Sequence, residues 1–160
     1  MLIKYIISGI SMSFISWIVG MLLNSILVKT EFYNKLSNLN FIKSKMLNKN
    51  IGLGYFRWIV KNTFFKVFNQ KIKLNNKNTD LTEVRKEMTI AEISHLIAFI
   101  FVVFFALYKS ISDSYWHGFV IMIVNVLMNL YPSLLQQEHK RRIDRLMEAV
   151  DCNKSYCGTN

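Results

Sequence analysis

Glu92 and His95 stand three residues apart in an otherwise apolar stretch, a spacing that puts both on one face of a helix. A carboxylate beside an imidazole can hold the ring in one tautomer and leave the other nitrogen basic. A general base for a hydroxyl needs that arrangement. Further along the chain, Asn125, Asn129, Pro132 and Gln136 fall at helical spacing and form one polar stripe on an apolar segment. Ionisable groups at membrane depth are functional candidates by default. The structural alternative is that Asn and Gln merely join helices, at about 0.6–2 kcal/mol each, while Glu92 starts its helix at the water interface. No Ser or Cys nucleophile is evident on these faces, so direct transfer is favoured over a covalent intermediate. A single E-x-x-H is too short for a di-metal carboxylate site. Cys152 and Cys157 lack the further ligands of a zinc site. No metal or cofactor is expected, and His117 reads as an interfacial residue.

The elements that must carry these residues follow from composition. Of 160 residues, 52% are apolar and only 19% charged, yet the net charge is +10, from 20 Lys+Arg against 10 Asp+Glu. A soluble domain carries about a quarter charged residues. Apolar and basic stretches are therefore segregated, which argues against a soluble enzyme, a disordered tail and a secreted disulfide scaffold. Residues 5–28 hold 24 positions without a charge, enough to cross a ~30 Å hydrocarbon core. Gly9, Ser13, Ser16 and Gly20 line one stripe of that helix and would let a neighbour approach closely. Two further apolar runs, 90–108 and 115–135, are separated by residues 109–114, long enough for a hairpin turn and nothing more. The expected fold is an all-α integral membrane protein: an N-terminal transmembrane helix (1–28), a basic interfacial segment (29–90), a transmembrane helical hairpin (91–136) and a basic tail (137–160).

Segment 29–90 carries 13 Lys+Arg against 4 acidic residues, whereas the hairpin turn has one of each. The positive-inside rule places that segment and the C-terminus in the cytoplasm and the N-terminus outside, as a multi-pass protein of the cell membrane. Within it, Phe56, Val60, Phe64 and Phe68 repeat every four residues among Trp58, Arg57, Lys61 and Lys66. An amphipathic helix of this kind suits anionic lipid head groups better than nucleic acid, because both flanks are tethered to a bilayer. Thr79, Asp80 or Thr82 is placed to cap the helix that runs on through Glu87 and Glu92. Counted from the turn, His95 and Asn129 lie at matching depth, so Glu92, His95, Asn129 and Gln136 should meet in the inner leaflet. The basic run after Gln136 is placed to engage a phosphate or sugar head group.

The spacing Glu87, Ala91-Glu92-x-x-His95, then Asn129-x-Tyr131-Pro132-x-x-x-Gln136, with Arg142 six residues on, resembles the glycosyl-4,4'-diaponeurosporenoate acyltransferase family. The resemblance covers residues 83–146, with a weaker similarity through 52–74. It departs at Leu96, where the family has Trp, and at Gln137-Glu138-His139-Lys140, where it has Arg-Tyr-Asn-Arg. The resemblance implies transfer of a fatty acyl group to a glycosylated carotenoid-type lipid. His95 and Glu92 would be the catalytic pair, and Asn129, Gln136, Arg142 and Glu87 the substrate-binding residues. Membrane lipid and an acyl donor would be the partners. A non-catalytic membrane subunit or lipid-binding helper, packed on a partner helix or on a second copy, is the other reading.

Overall fold

The computed structural model describes residues 1–37, 52–62 and 80–157, and among these every regular element is a helix. Helix α1 (Leu2–Leu27) is followed by a short α2 (Phe32–Leu36) and by α3 (Leu53–Asn62). The long α4 (Leu81–Ser112) then turns back into α5 (Tyr115–Asn125), a π-helical turn (Val126–Leu130) and α6 (Tyr131–Cys157). Three stretches, Leu2–Leu27, Leu81–Ser112 and Tyr115–Val150, are long and apolar enough to cross a membrane. The chain is an all-α membrane protein.

Helix α4 starts where Asp80 Oδ1 accepts from the Thr82 N–H (2.8 Å), relieving one of the orphan donors of the first turn. It continues through Ser112, so the hairpin turn is tighter than the six residues expected from the sequence: Asp113 ends α4, and Ser114 caps α5 by accepting from the Trp116 N–H (3.2 Å). Close approach across this hairpin depends on Gly118, where a Cβ would overlap the Ala106 carbonyl and the Ser110 hydroxyl.

Helix α1 packs along the hairpin through its small-residue stripe: Gly9, Ser13, Ser16, Gly20 and Asn24 are buried, while Ile3, Ile7, Phe14, Ile18 and Leu22 are exposed on the opposite side. At Gly20 a Cβ would overlap the Ser94 backbone carbonyl. Without hydrophobic drive between helices in lipid, such contact gains its energy from dispersion and interhelical hydrogen bonds. One turn on, Asn24 Nδ2 supplies two such bonds, to Ile90 O and Ser94 Oγ (both 2.9 Å). Val102, Ala106 and Ile121 form the apolar core near the turn, ringed by Met12, Phe101, Phe105 and Met122.

The π turn has a local cause. Pro132 has no N–H to return to the carbonyl four residues back, and its ring crowds that carbonyl. The chain widens just before it, with the Tyr131 N–H donating to Val126 O instead. A π turn inserts about one residue into the helical phase. The buried polar face therefore runs Asn125, Asn129, Ser133, Gln137, Lys140, each at most 2% exposed. A regular helix would have put Pro132 and Gln136 there. The expectation that Gln136 shares the inward stripe is corrected accordingly: Gln137 takes that place.

Candidate functional site: a polar seam between three helices

The seam holds two groups of side chains. In the first, Asn129 Oδ1 accepts from Trp17 Nε1–H (2.9 Å), while Asn129 Nδ2 donates to Asn125 Oδ1 (2.8 Å) and to Ser16 Oγ (3.3 Å). Asn125 is held in turn by its own bond to Phe99 O (3.0 Å). Trp17 also links Asn129 to His95: its ring meets the imidazole edge-to-face at 5.9 Å. Both amide hydrogens of Asn129 are engaged by Asn125 and Ser16. Nδ1 of His95 is buried and has no hydrogen-bond partner. Among the described residues, Asn129 has no hydrogen left for an acyl oxyanion. Of the substrate-binding residues that the resemblance implies, Asn129 thus has both polar atoms of its side chain engaged inside the bundle.

The second group lies one turn further from the hairpin. Glu92, fully buried, accepts from Gln137 Nε2 at Oε1 (2.9 Å) and from Lys140 Nζ at Oε2 (2.6 Å). Lys140 also donates to the Ser37 carbonyl (2.7 Å), so three elements, α2, α4 and α6, meet on one ion pair. Glu92 makes no hydrogen bond to His95 among the described residues. The i,i+3 spacing does put the two on one face, but both carboxylate oxygens turn to α6. Tyr33 completes the group, beside Asn24. Burial pushes its phenol above the ordinary value, and the Glu92 carboxylate adds to the rise.

The remaining predicted residues stand apart. Arg142 is exposed and pairs with Glu138 at 3.5 Å, and Glu87 is exposed on α4. Phe56 packs on Tyr131 (centroids 5.0 Å), which seats α3 against α6, while Tyr55 and Trp58 stay exposed. Phe64 and Phe68 lie outside the described residues. His117, read as interfacial, is instead buried. It stacks on Tyr5 (4.3 Å) and bonds Asp113 through Nδ1 (2.6 Å). That hydrogen bond, helped by the charges of Lys109 and Lys4, holds the Asp113 carboxyl below its ordinary range.

Trp17, Gln137 and Lys140 are the residues that sequence reasoning missed. Trp17 follows Ser16 on the small-residue stripe, and that adjacency is its one signal. Lys140 was hidden in the basic run read as a contact for a phosphate or sugar head group.

Fold and seam together define a small polytopic membrane protein with a histidine presented inside its helical bundle. Residues 29–149 match the family described as glycosyl-4,4'-diaponeurosporenoate acyltransferase, and the chain belongs to that family of carotenoid-biosynthetic acyltransferases. Comparison with curated proteins and with solved structures gives no match. Helix α1, with Ser16 and Trp17, lies outside the matched residues.

Proposed function

We propose that the protein transfers a fatty acyl group from an activated donor to a hydroxyl of a glycosylated carotenoid-type lipid, with His95 as general base. The observation that carries this reading is the family match over residues 29–149, and the buried, unpartnered Nδ1 of His95 supports it. The acceptor hydroxyl gives its proton to Nδ1 as its oxygen bonds to the acyl carbonyl carbon. The bond from that carbon to the donor's leaving atom then breaks, and the imidazolium returns the proton to the leaving group. General acid–base assistance of this kind contributes about 10²–10⁴-fold. Trp17 packs against the ring, and Trp17, Asn125 and Ser16 keep Asn129 in place.

The open end of the bundle, opposite the hairpin turn, exposes Arg142 and Glu87. Their exposure there supports a role in meeting the polar part of the donor or acceptor. Helix α3, with Tyr55 and Trp58 exposed, is suited to the membrane interface, where tryptophan and tyrosine partition favourably. By the positive-inside rule that interface is the cytoplasmic one. The fully engaged Asn129 is the observation that favours a non-catalytic packing role. Lipid extracts of cells making a glycosylated carotenoid acid separate the two readings: acyl esters that appear only with this chain support transfer, and identical extracts refute it.

A further inference from the structure

Serine and threonine hydroxyls buried in the spanning helices ordinarily bond a carbonyl one turn back. Ser13 does so to Gly9 O (2.9 Å), Ser16 to Ser13 O (2.7 Å) and Thr89 to Arg85 O (3.0 Å). Ser133 does not: its Oγ is buried without a partner, although the residue is only 1% exposed. Its position is bracketed. Asn129, four residues before it, shares Trp17 with His95, and Gln137, four residues after it, meets Glu92. Ser133 therefore faces α4 at the turn between Glu92 and His95. Two more buried polar atoms without partners lie on the same two helices, His95 Nδ1 on α4 and Gln136 Oε1 three residues along α6.

Orphaned polar atoms are rare in native interiors, and each calls for an occupant. Oε1 accepts, Nδ1 accepts in the tautomer that a general base requires, and the serine hydroxyl also donates. A ligand hydroxyl complements the set: it gives its hydrogen to Nδ1 and accepts from Ser133, and a neighbouring hydroxyl donates to Gln136. Adjacent hydroxyls of this kind occur on a sugar ring. We propose that Ser133, with His95 Nδ1 and Gln136 Oε1, forms the subsite that binds paired hydroxyls of the acceptor's sugar. This rests on the acyl-transfer reading and assigns Ser133 a part in choosing which hydroxyl is acylated.

The test uses membranes holding the full chain, a glucosylated carotenoid acid at graded mole fraction in mixed micelles, and a radiolabelled fatty acyl thioester. Ser133→Ala should raise the acceptor KM about tenfold, the loss expected for one hydrogen bond in a buried site. Membrane abundance and the donor KM should be unchanged, and Ser133→Thr should recover most of the effect. An unchanged acceptor KM in Ser133→Ala overturns the subsite, whether or not abundance falls; a fall in abundance alone means that Ser133 held only structural water. Product retained in His95→Ala sinks the base reading while the Ser133 effect stays measurable. If the unsubstituted chain acylates no sugar hydroxyl, both proposals fail.

Discussion

Replacing Glu92 by Gln is expected to unhinge the open end of the bundle, because it removes the only charge that faces the Lys140 ammonium among the described residues. Lys140 is 2% exposed and has, besides Glu92, one carbonyl partner, Ser37 O at 2.7 Å. Breaking a buried pair by removing one partner leaves an uncompensated charge, at about 3–5 kcal/mol. That is a large part of the 5–15 kcal/mol that typically separates folded from unfolded chains, on the order of a tenth per residue. Lys140→Met should do similar damage from the other side. The double variant Glu92→Gln, Lys140→Met removes both charges and should return to within about 1–2 kcal/mol of the parent, since apolar replacements of buried pairs are often neutral or better. The assay is membrane abundance with thermal unfolding in detergent, followed by product formation for each variant. A Glu92→Gln protein as stable as the parent, or a double variant no better than the worse single, would refute the clasp. A stable double variant without activity would return Glu92 to the chemistry.

Gly20→Ala should separate α1 from α4, because the added methyl meets the Ser94 backbone carbonyl, which cannot swing aside. Overpacking of this kind costs about 1–3 kcal/mol, whereas Gly9→Ala, which meets the Val124 side chain at 3.2 Å, should be milder; unfolding temperatures of the two compare them directly. Trp17→Phe keeps the ring but loses the donor to Asn129 Oδ1, and should lower kcat about tenfold, equivalent to roughly 1.4 kcal/mol, with abundance retained; an unchanged kcat would show that α1 only packs. Segment 29–90 should be cleaved by protease added to sealed inside-out vesicles, and its protection there would reverse the assigned topology.

The three spans were legible because lipid demands long apolar runs, and runs of about twenty residues cannot hide in a chain of this length. The α1 stripe was legible too, since glycine and serine at helical spacing have few other uses on a charge-free helix. What sequence could not show was the phase of α6. A 3.6-residue period carried through Pro132 selects Gln136, and the π turn that the proline provokes shifts the inward face to Ser133, Gln137 and Lys140. The partner of Glu92 was equally hidden. Its neighbour in sequence is His95, but its neighbours in space come from α6, 45 and 48 residues away. Trp17 reads as one more aromatic in a lipid-facing helix until its indole N–H is seen on Asn129. Matching His95 and Asn129 by their distance from the hairpin turn succeeded because two antiparallel helices share that reference point.

The central claim is that His95 takes the acceptor's proton, and the direct measurement is single-turnover acyl transfer by His95→Ala and His95→Gln in membranes of matched protein content. The account predicts a rate reduced by about 10²-fold or more, with abundance and unfolding temperature near those of the parent. Transfer at the parental rate, or loss of activity that only tracks loss of folded protein, would contradict it.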